Sequence, residues 1–130
     1  MNTKHILRLA RWLAAAIAVL TLAACSGAAP ANDAATPAPL VINVKAADIM
    51  FDPMTLSAKV GQPVTVNFQN AGALEHSFII DKLNVKLEHV QAGQTATVTF
   101  TPTAAGAYEF YCNVAGHKDA GRKGTLTVSS

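Results

Sequence analysis

The sequence predicts an all-β domain over residues 40–130, a Greek-key antiparallel β-sandwich of seven to eight strands. Short segments rich in β-branched and aromatic residues recur throughout this region, and this composition is typical of strands that bury one face. Glycine, proline and asparagine separate the segments, as turns do in an antiparallel sandwich. The region is about 90 residues long, which is enough for one hydrophobic core but not for two.

Six strands follow directly from the residue pattern. Residues 64–68 and 95–100 alternate apolar and polar side chains, which is the period of a half-buried strand. The stretch 81–89 has no clear period and is predicted to be either a short helix or an irregular excursion. In chain order, the six strands are 40–44, 64–68, 76–80, 95–100, 107–112 and 124–128.

The first 24 residues resemble a bacterial lipoprotein signal peptide. Lys4, Arg8 and Arg11 give a positively charged start, and the Ala-rich apolar run that follows is short for a permanent transmembrane helix. The run ends in Leu-Ala-Ala-Cys at residues 22–25, and this resemblance to a lipobox implies that Cys25 carries lipid. We therefore expect an exported chain that is lipid-anchored to the cell membrane and faces the periplasm or the exterior.

A linker separates this segment from the domain. Residues 25–39 comprise Cys25 and a stretch dominated by Ala and Pro, with almost no large apolar side chain. Such a stretch buries too little surface to compensate for the entropy lost on ordering. We interpret it as a flexible tether that holds the domain away from the membrane, and the alternative is a docking segment.

Charge and cysteine content restrict the function. From Cys25 onward there are seven Lys and Arg residues against eight Asp and Glu, a net charge of −1. Because nucleic-acid-binding domains are usually strongly basic, we expect no nucleic-acid partner, and we expect a monomer. If Cys25 is lipidated, Cys112 has no disulfide partner. In an exported chain, such a cysteine indicates a reactive thiol or a metal ligand.

Three side chains are candidate metal ligands. Cys112 and His117 are five positions apart on the loop between the last two predicted strands, and His76 begins an earlier strand. Individually, a buried cysteine or a surface histidine needs no function, and His89 is predicted to be such a structural or surface residue. Together, one thiolate and two imidazoles form a donor set that suits Cu(I) and Cu(II). We therefore expect one copper ion at His76, Cys112 and His117.

The domain also resembles a known family. The segments IMFDPMTLSAKVGQPVTVNFQN, EHSFII and GAYEFYCNVAGHKDAGRKGTLTV are similar to those of cupredoxins, the blue copper proteins of the plastocyanin and azurin kind. The resemblance is closest to short, lipid-anchored bacterial members. It implies a type 1 copper site in which Cys112 and His117 are equatorial ligands and His76 is the upstream ligand.

Two positions depart from the family pattern. Ala115 stands where proline is common, and Arg122 stands where the axial methionine is expected. Because a guanidinium has no acceptor lone pair, Arg122 cannot ligate copper. We expect its charge to raise the reduction potential. Alternatively, the Glu75 carboxylate or a nearby carbonyl approaches the axial position and favours Cu(II).

The expected function is that of a membrane-anchored single-electron carrier. The alternatives are a copper-binding module for storage, delivery or resistance, and a metal-free interaction module. No nucleophile–base pair or phosphate-binding loop is evident in the sequence, so we do not expect an enzyme. The basic residues Lys118, Arg122 and Lys123 are either a solvated loop or a docking patch for an acidic redox partner.

Overall fold

The computed structural model describes residues 35–130, so the predicted signal peptide, Cys25 and most of the linker lie outside the described residues. Residues 35–39 have no regular secondary structure. Within the described part there are nine strands and one three-residue 3₁₀ helix. They are β1 (Leu40–Ala46), β2 (Phe51–Asp52), β3 (Thr55–Lys59), β4 (Val64–Asn70), β5 (His76–Ile80), the 3₁₀ helix (Asp81–Leu83), β6 (Val85–Val90), β7 (Thr95–Phe100), β8 (Gly106–Tyr111) and β9 (Lys123–Ser129).

The strands form two sheets, and the predicted all-β sandwich is confirmed. One sheet has the order β2-β1-β4-β7, and the other has the order β3-β9-β8-β5-β6. Both sheets are mixed rather than purely antiparallel, because β1 pairs with β4 in parallel and β3 pairs with β9 in parallel. The predicted number of seven to eight strands is also low by at least one, since the described residues contain nine.

The parallel pairing of β3 with β9 accompanies a change of sheet. The chain leaves the first sheet after β2 and enters the second sheet at β3, where it runs beside the last strand, β9. A residue pattern reports which side chains are buried, because successive side chains of a strand point to opposite faces. It carries no information on the direction of the neighbouring strand, so this feature of the sheets was not predictable.

The stretch 81–89 contains the 3₁₀ helix, a turn at Asn84 and most of strand β6. The 3₁₀ helix Asp81–Leu83 ends at Asn84, whose φ of 51° lies in the left-handed region that asparagine tolerates. Strand β6 then begins at Val85. Within residues 35–130, no helix is long and apolar enough to cross a membrane.

Four phenylalanine rings form the centre of the core. Phe51, Phe68, Phe78 and Phe110 are each at most 1% exposed, and they come from both sheets. Neighbouring ring centroids are 5.1 to 6.2 Å apart in tilted or edge-on arrangements, which aromatic pairs favour. The cluster therefore joins the two sheets through interlocking rings.

The register of the second sheet aligns three strand ends. In the antiparallel pairs, Ile79 of β5 is opposite Tyr111 of β8, and Tyr111 is opposite Lys123 of β9. The start of β5, the end of β8 and the start of β9 consequently lie at one end of the sandwich. His76 and Cys112 therefore lie at the same end, one at the start of β5 and the other directly after β8.

We expect Phe68→Ala to lower the free energy of unfolding by about 3–5 kcal/mol, because it removes a fully buried ring and leaves a cavity. Urea denaturation of the full chain measures this loss. Phe100→Ala is the matched control, because Phe100 is only partly buried at the end of β7, and it should cost less than half as much. Equal losses would contradict a core centred on the four rings.

Candidate metal centre

Three donor side chains converge at the end of the sandwich. One ligand atom each of His76, Cys112 and His117 lies within 4.8 Å of the other two. The Cys112 Sγ is 3.6 Å from His117 Nδ1, and the two imidazole centroids are 5.2 Å apart. His76 and Cys112 are fully buried, whereas His117 is half-buried. The structure therefore brings together the three residues predicted as ligands.

The loop 112–122 contains two of the donors and is held together by hydrogen bonds within its own backbone. Cys112 N–H donates to the Arg122 carbonyl at 3.2 Å, and Arg122 N–H donates to the His117 carbonyl at 3.1 Å. Further turns include the bond from Gly121 N–H to the Lys118 carbonyl. Gly121 has a φ of 105°, which a residue with a Cβ rarely adopts. The backbone of Arg122 is thus bonded directly to both ligand-bearing residues.

Ser77 and Asn113, each directly after a ligand, connect β5 to the loop. Ser77 N–H donates to Cys112 Sγ at 3.4 Å, and the Ser77 hydroxyl lies 3.5 Å from the same sulfur. Ser77 Oγ donates to Asn113 Oδ1 at 2.6 Å and accepts from Asn113 N–H at 2.9 Å. Hydrogen bonds to a ligand sulfur orient the ligand and adjust its electron density. The position of the sulfur therefore depends both on β5, which carries Ser77, and on β8, which Cys112 directly follows.

Gly72 leaves the space that His76 needs. A Cβ at position 72 would lie 2.7 Å from His76 Nε2 and 2.5 Å from Asp48 Oδ1, and both contacts are too short for real atoms. The same Asp48 oxygen accepts from Ala73 N–H at 2.8 Å. A glycine is therefore required where the imidazole and the carboxylate approach one backbone position.

Arg122 is buried at the same end of the molecule. Its side chain is 0% exposed, and its Nε–H donates to the Ala47 carbonyl at 3.1 Å. Among the described residues, neither Nη has a hydrogen-bond partner, and no carboxylate lies within 4.0 Å of the guanidinium. A permanent positive charge is therefore buried at the end of the loop 112–122, with no carboxylate partner among the described residues.

Both imidazoles favour the neutral form that binds metals. Burial, followed by the charge of Arg122, lowers the pKa of His76 and that of His117 below the ordinary value of 6.5. The Asp48 carboxylate acts in the opposite direction on both groups. Because a histidine ligand must be deprotonated to coordinate, this environment prepares both rings for a metal ion.

The site fits a copper ion. Both ring nitrogens of His76 are buried and have no hydrogen-bond partner among the described residues, and such groups are rare in folded proteins unless something satisfies them. A metal bond would satisfy one of them. A sulfur and two imidazole nitrogens match the soft donor preference of copper.

The predicted basic patch is not continuous at the surface. Arg122 is fully buried, so it does not reach a partner protein. Lys118 Nζ pairs with Glu109 Oε1 at 2.5 Å and lies 4.0 Å from the centre of the Tyr111 ring. Arg122 and Lys118 therefore make their contacts within the domain, and Lys123 is exposed to solvent.

Glu75 and His89 contact each other and are not part of the donor group. Glu75 Oε1 bonds to His89 Nδ1 at 2.9 Å, and Gln91 Nε2 donates to Glu75 Oε2 at 2.7 Å. These two hydrogen bonds, with that of Gln91 the larger influence, lower the pKa of Glu75. The His89 side chain is 78% exposed, in keeping with the prediction of a surface residue.

Sequence reasoning missed Ser77, Asn113 and Asp48. Ser77 and Asn113 each follow a predicted ligand directly, and this adjacency was the available signal: Ser77 contacts the Cys112 sulfur, and Asn113 contacts Ser77. Asp48 lies in the turn between β1 and β2, far along the chain from every ligand. No local pattern identifies it, because only the fold places it near His76.

The metal-free protein should lose stability as the pH falls below 6.5 and through the lowered pKa values of His76 and His117. Between the lowered pKa of each folded imidazole and its unfolded value of 6.5, the unfolded state binds more protons. Stability is therefore present above that value and is lost below it. Denaturant titrations of the full chain at several pH values measure the slope. His76→Gln should flatten it, and the exposed control His89→Gln should not; equal slopes in all three proteins would contradict this account.

Comparison with known proteins agrees with this geometry. The family described as a cupredoxin-like domain matches residues 13–128. Auracyanin-A of Chloroflexus aurantiacus is 30% identical over 78% of this chain and 88% of its own length. The copper-resistant cuproprotein CopI of Rubrivivax gelatinosus is 29% identical, over 77% of this chain and 78% of that protein.

Solved structures show the same fold. The crystal structure of reduced auracyanin from Roseiflexus castenholzii matches with a TM-score of 0.66 at 24% identity, covering 72% of this chain and 100% of that one. Auracyanin B matches with a TM-score of 0.62 at 26% identity, covering 70% and 89%. The length of the family match and the clustered donor set lead to one conclusion: this chain belongs to the cupredoxin-like domain family, and copper is its cofactor.

Proposed function

We propose that the chain is a single-electron carrier that uses one copper ion held by His76, Cys112 and His117. When bound, copper supplies reversible one-electron chemistry. The observation that carries the proposal is the enclosure of the donors: two are fully buried and only His117 reaches the surface. Such a site has one exposed edge for electron exchange and leaves little room for a substrate to coordinate.

The protein holds its donors in place from several directions. Ser77 donates to the Cys112 sulfur, and the backbone of Arg122 is bonded to both Cys112 and His117. Phe78 is fully buried on β5, which begins with His76, and Phe110 is fully buried on β8, which ends directly before Cys112. Donors restrained in this way rearrange little when the charge of the site changes, which favours rapid electron exchange.

The charge of Arg122 favours the reduced state. A positive charge in a low-dielectric environment interacts more strongly than one in water, and it destabilises Cu(II) more than Cu(I). The alternative of Glu75 as an axial ligand is less consistent with the structure, because its carboxylate is bonded to His89 and Gln91. We therefore propose a site without an axial methionine and with a raised reduction potential.

Location and partners belong to the same proposal. The lipobox at residues 22–25 supports a lipid anchor on Cys25 and an exported domain that faces the periplasm or the exterior. We propose a protein redox partner that meets the exposed edge of His117, with Lys123 as the free cation nearby. The domain acts as a carrier and not as an enzyme, because its donors are enclosed.

Copper storage, delivery or resistance is the second candidate function. Two observations favour it: Arg122 replaces the axial methionine, and one relative is named a copper-resistant cuproprotein. It uses the same three ligands but requires the ion to leave the site. Electron self-exchange that is faster than copper release would support the carrier, and the reverse order would support copper handling.

Addition of Cu(II) to the full chain should produce intense visible absorption from the Cys112 thiolate, together with narrow copper hyperfine splitting in the EPR spectrum. Cys112→Ser should abolish the visible band, because it removes the sulfur donor. His89→Gln should leave both signals unchanged, because His89 lies outside the donor group. A colourless wild-type protein with an ordinary Cu(II) signal would contradict the carrier proposal.

Arg122→Met should lower the reduction potential by about 60 mV or more, the equivalent of a tenfold change in the equilibrium for a one-electron couple. The variant removes the buried charge and adds a thioether of the kind present in related sites. Redox titration of the full chain measures the potential. Lys123→Met removes an exposed charge and should change the potential much less. A potential that rises in Arg122→Met would count against the proposed role of the charge.

A further inference from the structure

Arg122 changes the net charge of the metal centre before an ion binds. The Cys112 thiolate contributes one negative charge, and His76 and His117 are neutral when they bind metal. The buried guanidinium contributes one positive charge close to both imidazoles, and among residues 35–130 no carboxylate within 4.0 Å neutralises it. The charges of the three donors and Arg122 therefore sum to zero, and the exposed Asp48 carboxylate adds a negative charge on the side of His76.

The effect of this charge grows with the charge of the ion. A monovalent ion gives the centre one net positive charge, and a divalent ion gives it two. The repulsion from Arg122 is twice as large for the divalent ion, and low dielectric surroundings screen it weakly. Asp48 attracts the ion, but its exposed position allows water to screen it. The buried cation is consequently the stronger of the two influences.

We propose that Arg122 selects soft monovalent ions, Cu(I) and Ag(I), and discriminates against divalent ions such as Zn(II). This inference rests on the proposed copper site and extends it to metal specificity. It assigns a specificity-determining role to a residue that does not contact the ion as a ligand. The described residues provide one group of three clustered donors, whereas structural zinc sites have four protein ligands and catalytic ones have three and a bound water.

Two physical causes of selectivity are therefore present, the charge and the missing fourth donor, and substitutions separate them. Arg122→Leu removes the charge without supplying a donor. Arg122→Met removes the charge and supplies a thioether. Lys123→Leu is the matched control, because it removes an exposed charge from the adjacent residue.

The test measures Zn(II) and Ag(I) affinities of the metal-free full chain by competition with chelators of known affinity. For Arg122→Leu, we expect the ratio of Zn(II) to Ag(I) affinity to increase by about 10- to 100-fold, which corresponds to about 1.4–2.8 kcal/mol. Lys123→Leu should change the ratio by less than about threefold, because its charge is screened by water. Thermal unfolding of each metal-free variant verifies that it is folded.

An unchanged ratio in Arg122→Leu overturns the proposal. A ratio that rises in Arg122→Met but not in Arg122→Leu also overturns it, because the number of donors then determines selectivity. If Arg122→Leu does not fold, the ratio of Zn(II) to Ag(I) affinity is measured in Arg122→Ala, which also removes the charge without supplying a donor: an increase supports the charge effect, and no increase overturns it.

The outcome is independent of the electron-carrier proposal. Zn(II) and Ag(I) are not oxidised or reduced in these titrations, so their affinities do not depend on electron transfer. A protein that shows the expected selectivity but exchanges electrons slowly would retain this inference and contradict the proposed carrier function. A protein that exchanges electrons rapidly but shows no selectivity would support the carrier function and contradict this inference.

Discussion

The pairing of β8 with both β5 and β9 is the constraint on which the rest of the site depends. The antiparallel register places Ile79 opposite Tyr111 and Tyr111 opposite Lys123. Cys112 and Arg122 then face each other across the hairpin, as the hydrogen bond between their backbones shows. A shift of one residue would turn the side chains of a strand to the opposite face. Both the sulfur donor and the buried cation depend on this register.

The same end of the sandwich is also where polar groups are buried. His76 and Arg122 are both fully buried and have nitrogens without protein partners in the described region. Buried polar groups without partners cost free energy, so this end is less favourable for folding than the Phe-rich centre. A metal bond to His76 compensates for part of that cost. Metal binding and stability are thus coupled at the site. The Phe-rich core supplies the stability that offsets the cost of the buried polar groups.

Arg122 is the residue that the proposed redox function and the proposed metal selectivity share. A relative named auracyanin and a relative named for copper resistance are almost equally similar to this chain, so likeness alone does not choose between carrying electrons and handling copper. A buried charge near the ligands favours the lower charge state of any ion there. It therefore affects the potential of a carrier and the selectivity of a copper-handling protein by the same electrostatic interaction.

The sequence by itself predicted six of the nine strands in the described region and indicated the three candidate ligands. Alternation in segments such as 64–68 and 95–100 revealed buried faces, and the spacing of Cys112 and His117, with His76 upstream, indicated one donor group. The tertiary structure alone decided the parallel pairing of β3 with β9, the burial of Arg122 and the approach of Asp48 to His76. These features depend on contacts between segments far apart in the chain, and a local residue pattern records burial and spacing but not which distant segments meet.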